Sequence, residues 1–365
     1  MRKTKVRQGI LLGLIVVMLF LIIAVIVMTG RKKQESVKIG LILTGTTEEP
    51  GWNNAHYQGV KYACEKLGAE LLVKENVPEN EKHCVAAVSE LAEDGVSMIL
   101  LSSYAYPVLA KSAIERYPEI SFYGISSELS LDNMTSYFGR MYQARYLAGM
   151  VAGMKTESNC IGYVAAMPNN EVNRGINAFT LGVRKANPEA VVNVIWTGSW
   201  DDEDKEAAAT KQLIEEANAD VITYHQNRHT VAETADAAGV YSIGYNEETE
   251  GLSERYLTAA VWNWNTLYAS IVREVLKGEA NSVKRHWFGI DTGVVGLAEL
   301  STEVEREIAD KIKETEKELS EGRHVFSGVI YDNNGEQRCY DGESIGDNIL
   351  LEKMDWYVEG VYICD

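Results

Sequence analysis

The chain has 365 residues and a formal net charge of −18, from 53 acidic and 35 basic side chains. Its first 33 residues hold seven basic and no acidic side chains, so the remainder carries −25. A domain this acidic repels DNA, RNA, anionic membrane surfaces and highly phosphorylated solutes, which argues against nucleic-acid binding.

Residues 9–28 form an uncharged run dominated by Leu, Ile, Val and Met. At ~1.5 Å per residue such a helix reaches ~30 Å, the thickness of a hydrocarbon core. Arg2, Lys3, Lys5 and Arg7 precede it and Arg31, Lys32 and Lys33 follow, so flanking charge does not set its orientation. A cleaved secretory signal is the alternative. The run exceeds the ~7–15-residue apolar core of a signal, however, and no small-x-small cleavage site follows, which favours an uncleaved single-span anchor.

Beyond the anchor the sequence alternates strand and helix. Residues 37–43 are an apolar, β-branched run typical of a buried parallel strand. Helix is expected at 53–67, 81–94 and 105–117, and strand at 70–74, 97–101 and 120–124. The pattern then restarts with an Ala- and Gly-rich helix at 141–154 that permits close packing. Strands at 161–165, 191–196, 221–224 and 241–243 follow, with helices at 171–186, 204–217 and 230–238. A strand at 256–261, a helix at 267–276 and a long charged helix at 304–320 complete the reading. Such alternation predicts doubly wound parallel sheets, and two units without a low-complexity linker predict two lobes joined by chain crossings.

In open α/β sheets ligand sits beyond the carboxyl ends of the strands. Trp52 and Asn53 follow the first strand through a turn-rich loop. Trp52 is either a hydrophobic staple at a helix entry or an aromatic platform for a flat ligand, and Asn53 either a cap or an edge-reading amide. Tyr104 lies after the third strand, Ser126 after the fourth and Trp200 after Trp196-Thr197-Gly198-Ser199. His225 and Gln226 end the strand at 221–224, Asn246 follows Gly244-Tyr245, and Trp262 lies within Val261-Trp262-Asn263-Trp264. Aromatic and amide residues recur at one topological place, which points to a shared cleft. No G-x-S-x-G elbow, Walker loop or H-E-x-x-H occurs, and no nucleophile has an evident base, so an enzyme is not expected.

The five cysteines (Cys64, Cys84, Cys160, Cys339, Cys364) show no CxxC and no histidine at metal-ligand spacing, which excludes a zinc site on pattern. Neither a metal nor another cofactor is expected. Cys339 paired with Cys364 would clip the C-terminal tail; buried inert thiols are the alternative.

The chain resembles the basic membrane protein family of extracytoplasmic solute-binding proteins, which includes purine nucleoside and adenine receptors. The resemblance is carried by Lys38-Ile39-Gly40-Leu41, Gly51-Trp52-Asn53, Tyr146-Leu147-Ala148-Gly149, Trp196-Thr197-Gly198-Ser199-Trp200-Asp201-Asp202, Val261-Trp262-Asn263-Trp264, Asp291-Thr292-Gly293-Val294-Val295 and Met354-Asp355-Trp356. It implies a type I periplasmic-binding-protein fold with two Rossmann-like lobes and three hinge crossings, near Tyr137, Gly244 and Trp287. The first lobe would comprise about 36–137 and 246–286, the second about 138–245 and 287–365.

By the same resemblance Trp52 stacks on a base, Asn53 contacts it and Gln226 faces it from the second lobe. Asn246 stands where nucleoside-binding members tend to carry aspartate, and Asp291 matches an aspartate associated with sugar contact. The contexts of Trp200 and Trp262 favour a purine base over a nucleoside. The implied partners are a small-molecule purine, an ABC permease and the lipid bilayer, with the domain outside the cell membrane. A tethered sensor or a sugar receptor on the same fold is the alternative. Relatives are commonly held by a lipidated cysteine, whereas no cysteine occurs here before Cys64, which leaves the apolar run to hold the domain.

Overall fold

The structure, a computed structural model, describes Met18, residues 36–48 and residues 51–364. The apolar run at 9–28 therefore lies outside the described residues except for Met18. Among the described residues no helix is long and apolar enough to cross a membrane.

The chain begins with β1 (Lys38–Ile42), α1 (Trp52–Leu67), β2 (Glu70–Lys74), α2 (Glu81–Glu93) and β3 (Met98–Leu101). Next come α3 (Tyr106–Leu109), α4 (Lys111–Arg116), β4 (Ser121–Ile125) and β5 (Met134–Gly139). The second run is α5 (Met141–Lys155), β6 (Cys160–Ala165), α6 (Asn170–Ala186), β7 (Val191–Trp196), α7 (Glu203–Glu215), β8 (Val221–His225), α8 (Thr230–Ala238) and β9 (Tyr241–Asn246). It is followed by β10 (Tyr256–Trp262), α9 (Trp264–Lys277), β11 (Arg285–Phe288), a 3-10 turn at Ile290–Thr292 and β12 (Val295–Leu297). The chain closes with α10 (Arg306–Ser320), the hairpin β13 (Ile330–Tyr331) and β14 (Gln337–Cys339), α11 (Asp347–Glu352) and β15 (Val361–Cys364).

Two sheets organise these elements. The first has six strands in the order β11-β5-β4-β3-β1-β2, every pair parallel. The second has seven in the order β12-β10-β9-β8-β6-β7-β15, parallel except where β12 runs against β10. Central strands such as β3 and β8 are buried along their whole length, as a parallel sheet covered on both faces requires.

The backbone passes between the sheets three times. It leaves β5 for α5 at Gly139-Arg140, leaves β10 for α9 at Asn263, and leaves β11 for β12 through Gly289. The second passage corrects the sequence expectation, which put residues 246–286 in the first lobe with a crossing near Gly244. Strand β10 lies beside β9 in the second sheet, with Val261 opposite Asn246, and only then does α9 carry the chain back onto α1. The cause is a parallel pair joined without a helix. The same arrangement in the first lobe, where β5 pairs with β4, explains why β5 is invisible to a rule that expects a helix between parallel strands.

The helix expected at 105–117 is two short helices that meet at Ala110. The thiols of Cys64, Cys84, Cys160 and Cys339 are free. Cys339 sits in the β13–β14 hairpin and Cys364 on β15 of the second sheet, so the expected clip does not form.

The tightest helix contact in the second lobe is between α5 and α6. A Cβ at Gly149 would lie 2.0 Å from the Phe179 carbonyl oxygen, and one at Gly182 would lie 2.0 Å from that of Tyr146. Both obstacles are backbone, so neither can swing aside. Helix propensity alone favours Gly182→Ala by ~1 kcal/mol. Steric overlap opposes it by about 3 kcal/mol or more and wins. Urea unfolding of Gly182→Ala is expected to show a clear loss of stability; a gain would mean that the helices slide apart freely.

Candidate ligand-binding cleft

The carboxyl ends of both sheets border one cavity of about 700 Å³. The first lobe contributes Trp52 and Asn53 from α1, Tyr104 and Ser126 from the loops after β3 and β4, Phe138 from β5 and Trp287 from β11. The second contributes Glu171 and Arg174 from the start of α6, Trp200, His225 and Asn227 around the ends of β7 and β8, and Asn246 from β9. The lobes come close where Gly51 (φ 95°) turns the chain into α1. A Cβ there would stand 3.9 Å from the Asn227 carbonyl.

Trp52 is fixed from behind. Its indole Nε1 donates to the Ser102 carbonyl at 2.9 Å, and its ring meets His56 edge-on at 4.2 Å and Trp264 at 5.6 Å. His56 is fully buried, with Nδ1 bonded to the Tyr268 hydroxyl, which in turn bonds Tyr137 at 2.9 Å. Burial depresses the His56 imidazole to about 3. Asn53 follows inside the helix, so it is not the cap; the hydroxyl of Thr44 donates to its Oδ1 at 3.1 Å.

The structure brings seven of the ten sequence-derived residues to the cavity: Trp52, Asn53, Tyr104, Ser126, Trp200, His225 and Asn246. Ser126 and Asn246 both adopt positive φ, 48° and 74°, where their strands end. Gln226, Trp262 and Asp291 do not line it. Gln226 is the first residue beyond β8, in a bend that turns its side chain inward. Its Nε2 donates to Thr197 Oγ1 at 2.8 Å and the side chain is buried. Trp262 lies at the second crossing, stacked on Trp264 at 4.6 Å and 13° and packed against Phe138 at 4.8 Å. Asp291 sits in the 3-10 turn, which directs Ile290 inward and leaves the carboxylate exposed.

Sequence reasoning missed the floor of the second lobe. Glu171 and Arg174 occupy the first turns of α6, whose cap Asn169 accepts from the N–H of Glu171 and of Val172 at 3.0 Å each. Behind them Arg145 of α5 is fully buried. Its Nη2 donates to the Tyr224 carbonyl at 2.8 Å, and its guanidinium lies 4.1 Å from the centre of the Tyr245 ring. Burial, then Arg145 and Arg174, hold His225 well below the usual histidine range. Burial raises Glu171, opposed by Arg174 and Arg145. The loop after β6 was available to the strand-end rule, but Arg145, in a helix interior, carried no such signal. Phe138 and Trp287 went unread because their strands did.

Two parallel-stranded lobes, three crossings and a cleft at the carboxyl ends of the strands define a periplasmic-binding-protein-like fold. The family model described as "ABC transporter substrate-binding protein PnrA-like" (Bmp) matches residues 36–326, and the chain belongs to this family. It is 33% identical over 337 residues to a putative ABC transporter glucose-binding protein of Haloferax volcanii, covering 91% of this chain and 82% of that protein. It is 31% identical over 332 residues to a purine-binding protein of Brucella abortus, covering 90% of this chain and 93% of that one. Among solved structures, a transcriptional activator of the comK gene from Bacillus halodurans superposes with a TM-score of 0.70 at 24% identity, over 78% of this chain and 98% of that chain, and shares the fold.

His56 yields a pH prediction with a definite sign. Its folded pKa lies below the unfolded value of 6.5, so its contribution is full above about pH 6.5 and is lost progressively toward about pH 3. The limiting slope is ~1.4 kcal/mol per pH unit. A His56→Gln variant is expected to start less stable at pH 7 but to lose less stability between pH 6.5 and 4.5 than the parent. Urea midpoints across that range measure the difference, and parallel curves would remove His56 as a source.

Proposed function

We propose that this protein is the solute receptor of an ABC importer, that it binds a purine base in the inter-lobe cleft, and that residues 9–28 hold it on the outer face of the cell membrane. The observation that carries the ligand reading is the tethered indole of Trp52. Its only polar atom is committed to the Ser102 carbonyl, which leaves the aromatic surface to serve the cavity. Phe138, Trp200 and Trp287 add aromatic surface, and Asn53, Asn227 and Asn246 supply amides that pair with the edges of a heteroaromatic ring. The similarity to a purine-binding protein supports the reading, while the similarity to a putative glucose-binding protein keeps a sugar as the second one.

Recognition groups of this kind select and orient without bond-making chemistry. Ligand between the two lobes would favour their closed arrangement, which a permease distinguishes from the open one. The purine contribution to binding comes from stacking, worth ~0.5–1.5 kcal/mol beyond area burial.

Calorimetric titration of the full-length chain with adenine, hypoxanthine, guanosine, ribose and glucose tests the ligand class. Purine bases are expected to bind and the free sugars not, and Trp52→Ala is expected to weaken purine binding about tenfold or more. Binding of glucose without purine would replace this reading with the sugar receptor. For the anchor, the full chain is expected in the membrane fraction after an alkaline carbonate wash, and a chain beginning at Ser36 in the soluble fraction. Release of the full chain by the wash would refute a spanning helix.

A further inference from the structure

The second-lobe wall of the cleft holds charged and polar groups that converge without satisfying one another. Arg174 is buried, lies 5.3 Å over the Trp287 ring, and among the described residues hydrogen-bonds from Nη1 to the carbonyls of Leu350 at 2.6 Å and Asn170 at 3.5 Å. The other guanidinium donors make no hydrogen bond among the described residues, and the side chain lines the cavity. His225 is 2% exposed and also lines the cavity. Its Nε2 stands 4.0 Å from Glu171 Oε1, outside hydrogen-bond reach, and makes no hydrogen bond among the described residues, while the ring packs on Tyr245 at 4.2 Å. The Glu171 carboxylate, about a third exposed and lining the cavity, likewise accepts no hydrogen bond among the described residues.

Arg145 lies behind this trio against the rings of Tyr245 and Tyr163, and its Nε and Nη1 make no hydrogen bond among the described residues. On this wall two guanidiniums, one of them behind the lining, accompany the Glu171 carboxylate, while Glu79, Glu128 and Glu352 line the cavity elsewhere. An unpaired buried charge is costly, so groups of this kind are kept where something else completes them.

We infer that Arg174, His225 and Glu171 form a subsite with two donors and one acceptor, and that it takes the lactam edge of a 6-oxopurine in preference to the amidine edge of a 6-aminopurine. The inference rests on the purine reading of the cleft and refines it. An oxopurine presents two acceptors, N7 and O6, beside the N1–H donor, whereas an aminopurine presents an N6 donor between the acceptors N7 and N1. Arg174 can only donate, and the net positive wall favours a carbonyl oxygen over an amino group. Glu171 complements the N1–H of the lactam and opposes the bare N1 of the aminopurine. The neutral His225 supplies the second donor without adding charge.

Calorimetry of the full-length protein with hypoxanthine and adenine decides the matter. Hypoxanthine is expected to bind at least about tenfold more tightly. Arg174→Met is expected to bring the ratio toward one, and Glu171→Gln to lower hypoxanthine affinity more than adenine affinity. Trp52→Ala should weaken both ligands and leave the ratio intact. Equal or tighter binding of adenine by the parent protein would overturn the inference and leave the purine reading standing. Failure of both purines to bind would overturn both. The parent ratio needs no variant, so it decides the question even if Arg174→Met does not fold.

Discussion

Trp262 ends a strand of the second sheet, and Trp264 opens the helix that returns the chain to the first lobe. Their rings stack 4.6 Å apart within 13° of parallel. Gly139, at the first crossing, lies so close beneath that a Cβ would stand 2.3 Å from the Trp262 ring. Two of the three passages between lobes are thus packed against each other through one aromatic contact. From Trp264 the contact continues through His56 at 4.2 Å to Trp52 at the cavity wall. The indole at the cavity wall and the segments that pass between the lobes belong to a single aromatic array. Its polar atoms turn inward: Trp52 Nε1 is bonded to backbone, and His56 is held neutral by burial.

Much of the fold was legible because parallel strands buried on both faces read as continuous apolar runs. Residues 37–43 and 97–101 announced themselves in this way, and helices such as 53–67 showed their buried side at helical spacing. What stayed hidden lacked that contrast. Strand β5 (Met134–Gly139) mixes Thr, Ser and Gly, and no helix separates it from β4. Strands β11 and β12 are four and three residues long, too short to establish a period. Missing β10 as the neighbour of β9 displaced the second crossing, since local sequence does not say which sheet a strand joins.

The cleft was legible for a different reason. The strand-end rule is topological and needs no side-chain detail, and it drew attention to Trp52, Trp200, His225 and Asn246. It failed where a residue's orientation mattered, as with Gln226, one position beyond a residue that does face the cavity. It also could not reach Arg145, whose place at the back of the floor depends on how α5 lies across the second sheet. A charged residue in a helix interior reads as solvated surface until packing shows otherwise.

Neither lobe is continuous along the chain. The edge strand β11 (285–288) pairs with β5 (134–139), and β15 (361–364) pairs with β7 (191–196). A ribosome or a translocation channel that has released only the first two hundred residues has therefore delivered neither sheet complete. Long-range closure of this kind is slow, because its entropy is lost before the contacts form. Residues 361–364 complete an edge of the second sheet, so a chain that lacks them loses strand pairing in a lobe that was begun more than a hundred residues earlier.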